Sequence, residues 1–235
     1  MSRVGTLLVV AALVLAGAVG PVTGSQAATD GTTVQGAATT DGATQAVAQA
    51  ESNNSTSVTL LTYNDVQTAA AENQTFPRMV TLLNERRAAI DNPTVTVGGG
   101  DEVSPHALSP LSQWQVPVDV LNVAQPDAEV IGNHDLDYGF EAVQNFSSAS
   151  EFPWLMANIV DSETGEPIPG TEPYTVVERQ GVKVGVVGLA DGAIKSKTAV
   201  DFDEAGYELR DYSEVASEYA TQLKEEQGVD VVVAA

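Results

Sequence analysis

The sequence predicts an α/β fold, because apolar strand-like segments alternate with segments of helical periodicity. Three successive units begin with a short apolar run and continue into a helical stretch. In each unit, a residue with an oxygen able to bind a metal closely follows the strand. Strands of open α/β sheets have their carboxyl ends at a common crevice, so these residues are expected to meet at one edge. The three residues are Asp65, Asp101 and Asn133.

Hydrophobic periodicity assigns the individual elements. The runs at residues 58–63, 94–97 and 128–131 are strand candidates. A helix is expected over residues 76–90, which place Phe76, Met79, Val80 and Leu83 at helical spacing. Further helices are expected over 109–124, where Pro117 complicates the middle, and over 141–149. A strand is expected next, over 154–158. The later segments predict a second sheet face, because a hairpin of 174–178 and 182–189 turning at Gln180-Gly181 is followed by a helix at 212–227 and a strand at 229–233.

Charge and composition exclude several classes of function. The chain has 235 residues, of which 32 are acidic and 10 basic, giving a formal net charge of -22. This charge disfavours nucleic-acid polymers as partners, because a phosphate backbone attracts the opposite sign. A hydrophobic content of 43% argues against general disorder, so we interpret the acidity as a surface adapted to high salt. The absence of cysteine excludes disulfides, thiolate metal sites and a cysteine nucleophile.

The N-terminal residues have the pattern of a secretory signal. Arg3 precedes an apolar run at residues 7–16, and small residues follow up to Ala27. An uncleaved membrane anchor is the alternative, but the run is shorter than a span of about 20 residues. The next residues lack large apolar side chains and cannot offset their ordering entropy. We therefore predict a signal peptide at 1–27, a flexible linker at 28–57, a folded domain at 58–235 and a secreted or cell-surface location.

The most informative motif is Gly-Asn-His-Asp-Leu-Asp-Tyr-Gly at residues 132–139, directly after the third strand. The amide oxygen of Asn133 suits a hard divalent cation, and the imidazole of His134 can transfer a proton near neutral pH. Asp137 can fix the tautomer and orientation of that ring. We interpret Asp135 as a cap of the following helix. The glycines at 98–100 are expected to form a tight turn, because no Lys-Ser/Thr pair follows as in a P-loop.

Simpler explanations exist for single residues. Aspartate is frequent in turns, so Asp65 or Asp101 alone could be an ordinary residue at a strand end. The recurrence of metal-capable residues at three strand ends favours a common site instead. The only histidine besides His134 is His106, which we expect on a surface loop rather than in a catalytic role.

Taken in order, Asn64-Asp65, Gly100-Asp101 and the motif at 132–139 resemble the calcineurin-like metallophosphoesterases. Residues 152–158 extend the resemblance to the secreted 5′-nucleotidase and 2′,3′-cyclic-nucleotide phosphodiesterase branch of that family. The resemblance implies a four-layer α/β/β/α fold that carries two divalent metal ions. By this likeness Asp65 binds the first metal, Asp101 bridges both and Asn133 binds the second. His134 and Asp137 match the catalytic dyad of the family.

The sequence departs from the family pattern in two places. The family usually has a histidine two residues after the first aspartate, where this chain has Gln67, a weaker oxygen ligand. Its remaining metal-binding histidines follow a strand that resembles residues 229–233, and this sequence ends at Ala235. We therefore expect a fold that is incomplete at its C-terminus, without part of the metal site and the C-terminal substrate domain. Little or no turnover is expected from these 235 residues by themselves.

These features predict metal-dependent hydrolysis of phosphate esters, with extracellular nucleotides as small-molecule substrates and two divalent cations as cofactors. The oxygen ligands are compatible with Mn, Mg or Ca, whereas additional histidines would shift the preference to Zn. One alternative is a truncated or degenerate cell-surface module that lacks a complete metal centre. A second alternative, suggested by acidity alone, is a cation-binding surface protein. The only contact expected with a membrane is the passage of the chain across it during export.

Overall fold

The computed structural model describes residues 11–16, 56–66 and 75–235. Gln67, most of the predicted signal peptide and nearly all of the predicted linker lie outside these residues. The strands are β1 (Ala11–Ala16), β2 (Thr59–Asn64), β3 (Thr94–Gly98), β4 (Ala128–Val130), β5 (Trp154–Leu155), β6 (Ile159–Asp161), β7 (Thr171–Glu172), β8 (Tyr174–Arg179), β9 (Val182–Val187), β10 (Tyr207–Leu209) and β11 (Val231–Ala234). The helices are α1 (Thr75–Ala89), α2 (Ser109–Ser112), α3 (Gln115–Ala124), α4 (Phe140–Ala149), α5 (Ile194–Lys197) and α6 (Tyr212–Gln222).

Six parallel strands form the main sheet in the order β1-β2-β3-β4-β5-β7. The strand register aligns Tyr63 with Gly98, Gly98 with Glu129 and Glu129 with Trp154 in one row across the sheet. The chain leaves β2, β3 and β4 shortly after this row. Because the strands are parallel and their ends are aligned, the three loops that follow them lie at the same edge.

Helices α1, α3 and α4 pack side by side on the main sheet. α1 buries Phe76, Met79 and Leu83, which are three residues of the predicted apolar face. The helix expected over 109–124 is divided in two: α2 ends at Ser112, and the next residue, Gln113, has a φ of 47°, which is not helical. Pro117 does not cause the break, since it lies in the first turn of α3, where a missing N–H breaks no intrahelical bond.

A second sheet of three strands has the order β11-β9-β8. β8 and β9 form the predicted antiparallel hairpin, and β11 joins β9 in parallel. The hairpin turns at Gln180 and Gly181, whose φ values of 52° and 80° suit the twist of a two-residue turn. α6 packs on β9 and continues into a π-helical turn, Leu223–Gln227, within the predicted helix of 212–227.

The two sheets lie face to face between the helices. A Cβ built on Gly188 would lie only 2.5 Å from the Cβ of Leu155, so the chain after β9 lies directly against β5. On the other face of the second sheet, a Cβ on Gly185 would lie 2.9 Å from a methyl group of Leu223. The layers are therefore helices, main sheet, second sheet and helix, which confirms the predicted α/β/β/α architecture.

The short elements β6, β7, β10 and α5 had no clear sequence signal. The strand expected over 154–158 ends early, at Leu155. Asn158 is fully buried, and its side chain bonds to the N–H and the carbonyl of Ala190 and to the carbonyl of Arg210. It thereby joins the loop after β5 to the loop after β9 and to the segment after β10, a role that periodicity does not reveal.

β1 is an outer strand of the main sheet and runs parallel to β2. It falls within the apolar run that was interpreted as the core of a signal peptide. The boundaries at 27 and 57 stay predictions. Of the described helices, none combines the length and the apolar character needed to cross a membrane.

Candidate active site

A cleft of about 220 Å³ lies at the edge where β2, β3 and β4 end. Asp65, Asp101 and Asn133 all line it, so the structure brings together the three residues expected from the sequence. The opposite wall comes from the loop after β9 and from α5, through Leu189, Asp191 and Lys197 among others. Gln67 lies outside the described residues, and its part in the cleft stays a prediction.

Asp65 and Asp101 share an unusual backbone conformation. Their φ values are 56° and 63°, a left-handed region that few residues other than glycine adopt. Local hydrogen bonds hold this geometry: the Asp65 N–H donates to the carbonyl of Gly100 at 3.1 Å, and the Gly99 N–H donates to that of Tyr63 at 2.8 Å. Strained residues of this kind cluster at functional sites, where surrounding structure maintains them.

Two glycines allow the loops after β3 and β4 to touch. A Cβ on Gly100 would lie 2.7 Å from the backbone nitrogen of Gly132. A Cβ on Gly132 would lie 2.3 Å from Oδ1 of Asp101. Gly100 also has a φ of 98°. The glycines at 98–100 therefore form a turn, as expected from the sequence, and this turn lies in close contact with the backbone of Gly132.

Asp135 connects these loops. Its Oδ2 accepts hydrogen bonds from the N–H groups of Asp101 (2.9 Å) and Gly132 (2.8 Å), and its Oδ1 accepts from those of Glu102 (3.0 Å) and Val103 (2.9 Å). The side chain is fully buried, and burial raises the pKa of Asp135 to about 6, against the opposing effect of these donors. Its interpretation as a helix cap was wrong, because Gly139 occupies the N-cap of α4 and the four donors to Asp135 lie outside that helix.

His134 and Asp137 form a hydrogen-bonded pair, with Nδ1 of the ring 3.0 Å from Oδ2 of the carboxylate. The Ser104 hydroxyl donates to the same carboxylate oxygen at 2.9 Å. Partial burial lowers the pKa of His134, but the hydrogen bond to Asp137 and the charges of Asp137, Asp101 and Asp135 outweigh it and raise the pKa overall. The ring is therefore biased toward its charged form, and Nε2 is the nitrogen that the pair leaves for a ligand.

The two residues expected to bind the second metal meet at this turn: Asn133 belongs to it, and Asp101 contacts it from the loop after β3. The backbone N–H of His134 donates to Oδ1 of Asp101 at 2.7 Å. Burial raises the pKa of Asp101, and this hydrogen bond only partly opposes the shift. Nδ2 of Asn133 donates to the carbonyl of Lys197 at 3.2 Å, so its Oδ1 is the atom that could accept a cation.

His106 has a structural role and is not on the surface. It is buried, its Nε2 lies 2.6 Å from the carbonyl of Gln113, and its Nδ1 accepts the N–H of Leu108 at 3.2 Å. Both ring nitrogens thus stabilise the α2 loop, and His106 does not line the cleft.

Two fully buried glutamates lie behind the site. Burial raises the pKa of Glu129 well above its usual range, although its Oε1 accepts the hydroxyl of Tyr63. Burial likewise raises the pKa of Glu102, and the nearby N–H of Val66 only weakly opposes the shift. Among the described residues, Oε2 of Glu129 and both carboxylate oxygens of Glu102 accept no well-formed hydrogen bond. The side chain of Glu129 also fills the space where a Cβ of Gly98 would lie.

The donor atoms around the cleft fit hard divalent cations in part. Two carboxylates and an amide oxygen are ligands of the type that Mg, Ca and Mn prefer. Within the described ranges, no group of three His, Cys, Asp or Glu side chains could hold a metal ion. A centre built from these residues therefore depends on Asn133 and on additional ligands.

The sequence matches no protein-family model. It is 28% identical over 157 residues to a 5′-nucleotidase of Vibrio cholerae, covering 66% of this chain and 28% of that protein. It is 27% identical over 179 residues to a 2′,3′-cyclic-nucleotide 2′-phosphodiesterase/3′-nucleotidase of Haemophilus influenzae, covering 68% of this chain and 26% of that protein. The chain therefore spans only about a quarter of the length of these relatives.

Solved structures show the same fold. A 5′-nucleotidase precursor from Thermus thermophilus has a TM-score of 0.64 at 21% identity, over 74% of this chain and 36% of that one. The calcineurin-like phosphoesterase YfkN from Bacillus subtilis has a TM-score of 0.61 at 22% identity, over 74% of this chain and 60% of that one. The chain is thus a homologue of the 5′-nucleotidases and 2′,3′-cyclic-nucleotide phosphodiesterases, and it has the calcineurin-like metallophosphoesterase fold.

Proposed function

We propose that this protein hydrolyses phosphate esters with the help of divalent metal ions. One observation supports this function above the others: Asp65, Asp101 and Asn133 line one cleft at the ends of three parallel strands, and the turn after Asn133 carries the His134–Asp137 pair. Oxygen donors that bind cations, placed beside an imidazole that donates a proton, are the two components that phosphoryl transfer requires.

Two divalent cations are the proposed cofactors. Asp65 would bind the first, together with Gln67; Asp101 would bind both, and Asn133 the second. Mn, Mg or Ca suits these oxygen ligands, and Zn would require histidines in addition. When bound, such ions supply Lewis acidity to the phosphoryl oxygens and to the attacking water.

His134 and Asp137 would act on the transition state. Asp137 holds Nδ1 of the ring and Ser104 holds Asp137, so the Nε2–H of a protonated His134 has a fixed direction. That proton can stabilise the charge that develops on the phosphoryl oxygens, or it can pass to the leaving oxygen. The raised pKa of His134 favours the form that donates.

Extracellular nucleotides are the proposed substrates. The support comes from relatives named 5′-nucleotidase and 2′,3′-cyclic-nucleotide 2′-phosphodiesterase/3′-nucleotidase, and from the predicted signal peptide. The acidic chain makes polymeric nucleic acids poor substrates, whereas a small phosphoester can be drawn to cations within the cleft.

A second candidate is a surface module that folds but does not turn over. It is favoured by the lack, among the described side chains, of three acidic, histidine or cysteine residues able to hold a metal. To separate the two functions, the longest natural protein that contains this chain is purified in molar salt, and its metal ions are removed with EDTA. Mn, Mg, Ca or Zn is then added with AMP, a 2′,3′-cyclic nucleotide or p-nitrophenyl phosphate. Metal-restored release of phosphate from a monoester, or opening of the cyclic ester to a nucleoside monophosphate, supports the enzyme. Metal binding without hydrolysis of any ester favours the module.

A further inference from the structure

The candidate cleft contains a single basic side chain among the residues described around it, that of Lys197. The acidic side chains that line the cleft are Asp65, Asp101 and Asp191. A phosphate ester entering this cleft would meet three carboxylates, two of which the proposed metal ions would neutralise. Apart from a protonated His134, Lys197 is then the protein's own positive charge available to the phosphoryl group.

The fold ties Lys197 to the metal-binding edge. Lys197 is the last residue of α5, and its carbonyl accepts the hydrogen bond from Nδ2 of Asn133 at 3.2 Å. The backbone of Lys197 therefore sits beside a proposed metal ligand. Its side chain starts from this fixed point, and the ammonium group is carried on a flexible stem.

The present partner of the ammonium group is a weak one. Nζ of Lys197 forms an ion pair with Oδ2 of Asp191, and the two side chains are 49% and 57% exposed. The hydrogen bond from Lys197 lowers the pKa of Asp191, so the carboxylate is charged at neutral pH. Ion pairs this exposed contribute little to stability, so exchanging the carboxylate for a phosphate oxygen costs little.

We propose that Lys197 is a phosphate-binding residue of this cleft and that Asp191 holds its ammonium group when no phosphate is bound. The proposal rests on the proposed function and extends it to the substrate. A point charge binds a phosphoryl group without reading the base, so it favours dianionic monoesters over singly charged diesters. On binding, the Lys197–Asp191 pair opens and the ammonium group donates to a phosphoryl oxygen; no covalent bond changes.

A matched control lies on the same helix. Lys195 pairs with Asp203 at 2.9 Å, and its side chain is 42% exposed. Neither residue lines the cleft. Replacing Lys195 or Asp203 changes the net charge by the same amount as replacing Lys197 or Asp191, so it separates a local contact from a general electrostatic effect.

The test measures binding of inorganic phosphate by calorimetry, with and without Mn²⁺, at one fixed salt concentration. Lys197→Gln should weaken binding by about fivefold to tenfold, the size of one partly screened charge contact. Asp191→Asn should tighten binding by about twofold to fivefold, because it frees the ammonium group. Lys195→Gln and Asp203→Asn should leave the affinity unchanged. Urea midpoints check that each variant is folded.

The outcomes separate this proposal from the proposed function. Equal effects of Lys197→Gln and Lys195→Gln, or a wild-type protein that binds no phosphate, would overturn the role of Lys197. So would a wild-type protein that hydrolyses monoesters while Lys197→Gln leaves both phosphate affinity and KM unchanged. Phosphate binding that depends on Lys197, without metal-dependent hydrolysis of any ester, would support the binding site and overturn the enzymatic function. If Lys197→Gln does not fold, the opposite shift expected for Asp191→Asn decides.

Discussion

The contact between Gly132 and Asp101 offers a direct test of the metal-binding geometry. In Gly132→Ala, the new Cβ would lie 2.3 Å from Oδ1 of Asp101 and 2.5 Å from its backbone nitrogen, whereas ordinary contacts begin at 3.4 Å. Oδ1 already accepts the N–H of His134, and the Asp101 N–H already donates to Asp135. The carboxylate must therefore move by about 1 Å, at an overpacking cost of about 1–3 kcal/mol.

A shift of this size matters more for a metal than for the fold, because ligand distances are set within about 0.2 Å. We expect Gly132→Ala to weaken Mn²⁺ binding by about 10- to 100-fold. Gly228→Ala is the matched control: its φ of 62° imposes a strain of about 1–2 kcal/mol, and nothing lies within 4 Å of its Cβ. Urea unfolding and Mn²⁺ titration calorimetry at molar salt measure both quantities. If Gly132→Ala is destabilised but binds Mn²⁺ as tightly as the wild type, the assignment of Asp101 as a metal ligand is refuted. If Gly132→Ala and Gly228→Ala lose Mn²⁺ affinity equally, the loss reflects reduced stability.

Three further perturbations test other parts of the reasoning. In a full-length protein, Asp101→Ala should abolish both metal binding and hydrolysis, whereas His134→Ala should keep the metal and lower kcat by about 10²- to 10⁴-fold. Loss of metal in both variants, measured by calorimetry, would contradict the division of roles. Dilution from molar to millimolar salt should lower the unfolding midpoint, because the net charge of -22 is less screened, and an unchanged midpoint would argue against a surface adapted to salt. Glu129→Gln should gain stability relative to wild type as pH rises from about 4 to 8. The folded-state pKa of Glu129 is raised by burial, so the wild type is stabilised below the unfolded pKa and loses that stability as pH rises through the folded one. Parallel pH profiles of the two proteins would contradict the last expectation.

Sequence patterns predicted the parts of the site that depend on local order along the chain. Each of the three predicted ligands, Asp65, Asp101 and Asn133, closely follows a strand. Because these strands are parallel and their ends are aligned, the loops that follow them must lie at the same edge of the sheet. The spacing of His134 and Asp137 places both in one turn, so their contact also follows from local geometry. These residues could be found without knowledge of the tertiary fold.

The residues that sequence reasoning missed act between segments. Ser104 supports Asp137 from the loop after β3, and Asp135 binds donors from that same loop. Neither contact leaves a periodic pattern, since each joins positions more than thirty residues apart. The break of the helix at Gln113 also left no sequence signal. Attention fell on Pro117, but Pro117 lies in the first turn of α3, where it does not interrupt the helix.

The edge of the main sheet where β2, β3 and β4 end contains several features that destabilise the fold. These features argue against the simpler view that Asp65 and Asp101 are ordinary turn residues. Asp65 and Asp101 adopt left-handed backbone conformations that disfavour folding. Behind them, Glu102, Glu129 and Asp135 are fully buried, and their raised pKa values indicate that each charge is costly to bury. A turn whose only task is to reverse the chain needs neither strain nor buried carboxylates, and glycine or asparagine would serve it better. Unfavourable features concentrated around one cleft are instead what a site adapted to its ligand requires, because cations in the cleft would offset part of the repulsion among these carboxylates.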